Sequence, residues 1–215
     1  MLKIKVKASQ ITNLTDARYF AAKEVEWLSF DFTEGSSTYI DPMKARAMFD
    51  WVEGPCIVGE FQNLTAAEIG FYTEGWGLKA VQLGFLTPIS EVSLIKNVPI
   101  IQEINVEHFT NPVFLRQELT PLAPFVQAFQ LNFDKNNISW EDLKSPNSMI
   151  TVEDLKELCQ DFKIILSIDF QFNTLEEILD VNPFGLNLKG SDEERVGVKS
   201  FDELDEILDA LEVFV

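Results

Sequence analysis

The chain is poor in the residues that most often announce chemistry. It has one histidine and two cysteines. The histidine, His108, lies in His108-Phe109-Thr110-Asn111-Pro112, just before a helix-cap pattern, and reads as a loop residue rather than a catalytic base. Cys56 and Cys159 fall in different predicted elements without metal-ligand spacing, so they are expected to be buried free thiols in a reducing compartment. No apolar run approaches the ~18 residues of a membrane span, and Met1-Leu2-Lys3 leads into a strand pattern without a signal-peptide profile. A cytoplasmic location is expected. No G-x-G-x-x-G loop is present, and no cofactor or metal motif stands out. Basic residues are also scarce: 17 Lys+Arg against 35 Asp+Glu give a formal charge of −18. Such a surface repels nucleic acid and anionic membranes. It offers no general attraction for a phosphorylated substrate, so any phosphate site must be built locally.

What is present is regular. With 215 residues, 46% of them hydrophobic, the chain suits one domain, residues 1–215, with a substantial core. Short runs rich in Ile, Val, Leu and Phe predict strands at 2–7, 26–32, 55–61, 78–83, 99–105, 126–132, 163–168 and 184–188. Helical patterns follow at 14–24, 42–53, 64–74, 88–96, 112–121, 151–160, 174–181 and 201–211. Start signals support several of them. Pro42 follows Asp41, Asn63 precedes an Ala-rich run, Thr151 to Asp154 resembles a capping box, and Asn173-Thr174 offers another cap. Strict strand–helix alternation implies parallel β/α units, and at this length an α/β protein closed as a (β/α)8 TIM barrel is the leading architecture. An open doubly wound sheet is the alternative, unsupported by any glycine-rich loop. The irregular stretch 133–150 follows the sixth strand and is expected on the active face. The 18 Phe and 4 Trp are mostly core fill, although several Phe cluster at strand ends and could seal the mouth. The final pattern, Phe201 to Phe214, places Leu204, Ile207, Leu208 and Leu211 at the spacing of a barrel-packing helix.

The first strand-to-helix joint carries the most specific signal. Lys7-Ala8-Ser9-Gln10-Ile11-Thr12-Asn13-Leu14-Thr15-Asp16-Ala17 resembles the K-x-C-G-I-T-N-x-x-D-A joint of the phosphoribosylanthranilate isomerase family. The resemblance continues in order along the chain. Ser37 to Pro42 is similar to S-P-R-Y-V-S-P, with Thr38 at the arginine. Val58 to Asn63 is similar to V-G-V-F-V-N. Val81-Gln82-Leu83-Gly84 resembles V-Q-L-H-G without its histidine. Ile101 to Val106 corresponds to I-K-A-I-R-V, and Phe129 to Asn132 to the strand that ends in the family's aspartate. Leu166 to Phe170 stands at L-A-G-G-L, Phe184 to Gly190 at F-G-V-D-V-S-S, and Gly197-Val198-Lys199 at a later G-V-K.

The resemblance implies an eight-fold barrel and an Amadori rearrangement of a phosphoribosylated anthranilate. That reaction needs a general acid at the ring oxygen, a base at carbon 2 and a phosphate cradle, and no cofactor. The departures fall on those parts. Ser9 stands at the base, where a hydroxyl does not ionise as a thiol can. Lys7, two residues earlier, shares its strand face and could activate it; the plain reading is a strand-end hydrogen bond. Asn132 stands at the acid, and an amide is no acid catalyst. Asp134 could substitute if its loop bends back, or could belong to a solvated loop. The glycine pair of the phosphate cradle is Ile168-Asp169, and Lys189-Gly190 is the only compensating feature. Meanwhile Asp31, Glu60, Glu103 and Asp169 are new carboxylates near strand ends. If they converge, the pocket suits a cation, a hydroxylated ligand or a divalent metal.

Three functions are therefore weighed. One is an isomerase-like barrel with lost or strongly altered Amadori activity. A second is a working isomerase that uses Ser9 with Lys7, Asp134 and Lys189. A third is a non-catalytic binding or regulatory partner. A small phosphorylated or polar metabolite is the expected ligand class, and the chain is expected to be a monomer or homodimer.

Overall fold

The structure, a computed structural model, describes residues 1–190, 193–195 and 198–213. Gly197 and Phe214, named above, lie outside the described residues. The strands are β1 (Lys5–Ser9), β2 (Trp27–Asp31), β3 (Cys56–Phe61), β4 (Ala80–Leu83), β5 (Ile100–Asn105), β6 (Ala128–Asn132), β7 (Ile164–Ser167) and β8 (Gly185–Lys189). They are all parallel and close in sequence order, with β8 paired back to β1. The expected (β/α)8 TIM barrel is thus the observed fold. Two short strands, β9 (Glu193–Arg195) and β10 (Val198–Lys199), form a separate ribbon after β8.

The helices are α1 (Leu14–Ala22), α2 (Pro42–Phe49), α3 (Ala66–Trp76), α4 (Ile89–Val92), α5 (Pro112–Leu122), α6 (Trp140–Leu143), α7 (Val152–Asp161), α8 (Leu175–Asp180) and α9 (Asp202–Leu211). Local chemistry sets most of their starts. Asn13 caps α1 by accepting from the Asp16 amide, and Asp41 caps α2 with Pro42 in its first turn. Thr151 and Asp154 form the expected capping box of α7.

Four local expectations are corrected. Helix α3 is capped by Thr65 with Glu68, not by Asn63, which sits in a left-handed turn at φ 59°. Thr174 does not cap α8, because its hydroxyl donates to the Gln171 carbonyl instead. The run 88–96 gives a single helical turn, α4, since Pro88 starts it without a side-chain cap. The stretch 133–150 is not wholly irregular: it holds a 3-10 turn, Asp134–Asn136, and α6 with its own Ser139–Asp142 capping box.

Alternation along each strand divides the core in two. Outward residues such as Val6, Leu28, Phe30, Val81, Leu131 and Leu166 pack under the helices in the larger cluster. A smaller cluster of Trp27, Val58, Ala80, Ile101, Ala128 and Ile165 fills the barrel's N-terminal interior, with Cys56 and Phe184 against it. Both cysteines are free, as expected, but they are half-buried rather than fully enclosed. Burial still pushes both thiols up, Cys159 to about 12, so neither is primed as a nucleophile. Among the described residues, no helix is long and apolar enough to cross a membrane.

Candidate active site at the barrel mouth

Register decides which residues meet at the C-terminal mouth. Ser9 lies beside Lys189, Asp31 beside Glu60, Glu60 beside Gln82, Glu103 beside Gln130, and Asn132 beside Ser167. These side chains share the inward parity of their strands. They line a cavity of about 280 Å³, just below the ~300–1,000 Å³ usual for ligand pockets.

The cavity wall is a connected polar network. Lys7, fully buried, donates to Glu60 Oε1 at 2.6 Å and to Asn187 Oδ1 at 3.2 Å. Asn187 Nδ2 in turn donates to Ser9 Oγ and to Ser167 Oγ, each at 3.0 Å. Ser167 donates onward to Asp134 Oδ2 at 2.7 Å, and Lys189 Nζ sits 2.8 Å from the same oxygen. On the opposite wall Glu103 accepts from Asn132 Nδ2 (2.7 Å), Lys135 Nζ (2.9 Å) and Gln62 Nε2 (3.2 Å). Gln62 reaches it across Gly84, where a Cβ would collide with the Gln62 side chain. That contact explains why glycine suits position 84, where the resemblance has a histidine.

Each sequence-predicted residue can now be placed. Ser9 is buried at the end of β1, and its hydroxyl donates to the Leu188 carbonyl at 3.5 Å. Lys7 faces the same way but is committed to Glu60 and Asn187. Paired as an ammonium with a carboxylate, it has no lone pair with which to take the serine proton. Asn132 uses both ends of its amide, since its Oδ1 also accepts from the Lys135 backbone at 3.2 Å. Asp134 does bend back to the barrel, but into a contact with Ser167 and Lys189. Thr38 donates to Asp31 Oδ2 at 2.8 Å, holding a loop onto the mouth where the resemblance has an arginine.

The expected four-carboxylate pocket is corrected to three. Asp31, Glu60 and Glu103 line the central cavity, whereas Asp169 lies in a neighbouring one of about 570 Å³. The reason is local. Asp169 lies two residues beyond the end of β7 and is exposed, with its backbone carbonyl accepting from the Trp140 amide at 2.8 Å, outside the inward register of the strand. Nor do the acids form a metal centre: among the described residues no group of three or more His, Cys, Asp or Glu could hold a metal ion. Lysines from β1 and the β6 loop stand between them.

The neighbouring cavity occupies the corner between β7, β8 and α9. It is lined by Asp134, Asp169, Asp202 and Glu203 with Lys189. A phosphate dianion would meet four carboxylates and one lysine there. The Gly190 amide is already used, donating to the Ser9 carbonyl at 3.3 Å. A Cβ at 190 would lie 2.7 Å from Asp16 Oδ2, so glycine here permits close packing on the first joint. His108 is remote from both cavities, on the surface, with Nε2 3.1 Å from the Asn136 carbonyl.

Sequence reasoning left Ser29, Gln82 and Gln130 unmarked as site residues. Their signal was a polar residue at inward parity inside an apolar run, as in Trp27-Leu28-Ser29-Phe30, Val81-Gln82-Leu83 and Phe129-Gln130-Leu131.

No family model and no curated protein matches this sequence. Solved structures do. Phosphoribosylanthranilate isomerase from Thermus thermophilus is 26% identical, with a TM-score of 0.74 over 97% of this chain and 98% of that one. The Thermotoga maritima enzyme is 23% identical, with a TM-score of 0.76 over 95% and 97%. A form of that enzyme described as monomers generated from a dimer is 22% identical, with a TM-score of 0.74 over 95% and 96%. The fold is thus a (β/α)8 barrel similar to those of these enzymes over nearly its whole length. These structural neighbours bear out the resemblance read from the sequence: the chain is similar to phosphoribosylanthranilate isomerases along nearly its full length.

Proposed function

We propose that this protein is a phosphoribosylanthranilate isomerase-like barrel whose Amadori activity is lost or strongly altered. One observation carries the reading: Asn132, at the acid position, is locked by both ends of its amide into Glu103 and the Lys135 backbone. No titratable proton is available there. At the base position, Ser9 shares its hydroxyl with Leu188 and Asn187, and no base touches it among the described residues. Each acid–base group typically contributes ~10²–10⁴-fold, so losing both removes most of the rate. The acidic corner beside Lys189 and Gly190 removes the third requirement, an anion cradle.

A second reading has Asp134 as a substitute acid. It is favoured by the return of the Asp134 loop to the barrel end, where its carboxylate accepts from Ser167 and pairs with Lys189. Addition of phosphoribosylanthranilate to purified protein, with fluorescence followed over time, separates the two. No turnover is the expected result. Turnover that Ser9→Ala or Asp134→Asn abolishes would establish the second reading. We further take residues 1–215 as one domain, cytoplasmic, and monomeric or homodimeric. Sedimentation of the purified chain tests the oligomeric state.

A further inference from the structure

Gln82 and Gln130 are 3% and 2% exposed, and both line the central cavity. Their Oε1 atoms have no hydrogen-bond partner among the described residues, and neither does Ser29 Oγ at the same inward parity of β2. Buried polar atoms are almost always paired, because leaving one unpaired in a low-dielectric interior is destabilising. Two inward-facing amides at one cavity therefore point to a ligand that completes them.

The chemistry of that ligand follows from the wall. An amide presents both an acceptor and a donor and can turn end for end, so its natural complement is a group that is donor and acceptor at once. A hydroxyl is such a group. Charge, by contrast, is already matched. Lys7 answers Glu60, Lys135 answers Glu103, and Lys189 answers Asp134. The remaining acid, Asp31, accepts from the Thr38 hydroxyl and the Thr33 amide. An added anion would face Glu60 and Glu103, whose counter-ions are engaged, and Asp31, which is paired only with neutral donors; an added cation would compete with the lysines in place. Size sets the last limit: about 280 Å³ corresponds to roughly nine waters at ~30 Å³ each, a small sugar rather than a nucleotide.

We infer that the central cavity binds a small uncharged polyhydroxylated compound, of the size of a free pentose or pentitol, in preference to its phosphate ester. This inference rests on the reading above that the phosphate cradle is gone.

The test is calorimetric titration of the full chain with D-ribose, ribitol, ribose 5-phosphate and inorganic phosphate, beside the turnover assay on the same preparation. The expected result is that ribose or ribitol binds at least tenfold more tightly than ribose 5-phosphate. Gln82→Leu and Gln130→Leu should each weaken binding at least tenfold, with the melting temperature unchanged or raised. A purely structural role for these amides would instead lower the melting temperature and leave binding intact. Equal or tighter binding of the phosphate ester overturns the inference, and so does silence from both uncharged compounds at concentrations on the order of 10 mM. Should both variants fail to fold, the wild-type selectivity decides alone. Turnover of phosphoribosylanthranilate would overturn the underlying reading and this inference with it. Silence in both assays would overturn this inference only.

Discussion

At the N-terminal end of the barrel the inward positions hold Trp27, Val58, Ala80, Ile101, Ala128 and Ile165. Two residues further along the same six strands they hold Ser29, Glu60, Gln82, Glu103, Gln130 and Ser167. The backbone, twist and register are continuous between the two layers, so the change from apolar to polar owes nothing to fold. The lower layer closes the barrel as a packed plug and contributes stability. The upper layer buries amides, carboxylates and a lysine at a cost in desolvation, which a packed core has no reason to bear. In a TIM barrel that division places chemistry or binding at the upper layer.

Substitutions sharpen the contrast. Trp27→Ala in the lower layer should have the largest effect, about 3–5 kcal/mol of lost stability in urea unfolding, because a fully buried indole leaves a void that its neighbours cannot fill. In the upper layer, Lys7→Met strands Glu60 and the Asn187 oxygen. Its cost should be about 2–4 kcal/mol, reduced by the partial exposure of Glu60, and Lys7→Met with Glu60→Gln should recover at least half. A cost for the pair equal to the sum of the single changes would mean that the ion pair does not exist in solution.

Asn132→Asp probes the same layer from the other wall. It replaces a donor 2.7 Å from Glu103 Oε1 with a second carboxylate, which should cost roughly 2–4 kcal/mol at pH 7. The loss should shrink as pH falls and one carboxyl protonates, and Glu103→Ala should relieve it. A pH-independent loss would contradict the contact. The smallest effect belongs to the rim. Gln10 has φ 60°, a left-handed conformation that favours glycine, and glycine is the residue at this point of the resembling motif. Gln10→Gly should change stability by no more than about 1 kcal/mol, relief of strain being offset by a more flexible unfolded chain. Loss of several times that amount would show that the Gln10 side chain holds the mouth together.

Legibility in the sequence followed the same division. The barrel was readable because strand and helix periods alternate cleanly and because Asn13, Asp41 and Thr151 cap where short-range rules place them. The first joint also kept its structural half: Asn13 caps α1, and Asp16, bonded to Asn13, packs beneath Gly190. That is why Ile11 to Ala17 still resembles its family while Ser9 and Gln10 do not. The site was only partly readable. Parity put Lys7 on the face of Ser9, and Asp31, Glu60 and Glu103 were placed near strand ends, but the partner each would choose was not legible. Those partners come from other strands, so Asn187 meeting both Lys7 and Ser9 depends on a separation of some 180 residues in sequence. Asp169 was misplaced because β7 ends at Ser167 and the chain beyond it bonds instead to the start of the unforeseen helix α6.

The most direct test of an altered site is product formation from phosphoribosylanthranilate by the wild-type chain, followed for hours at high enzyme concentration. The expected result is a rate far below the ~1–10³ per second usual for enzymes, and unchanged by Ser9→Ala. An ordinary rate that Ser9→Ala abolishes would contradict it.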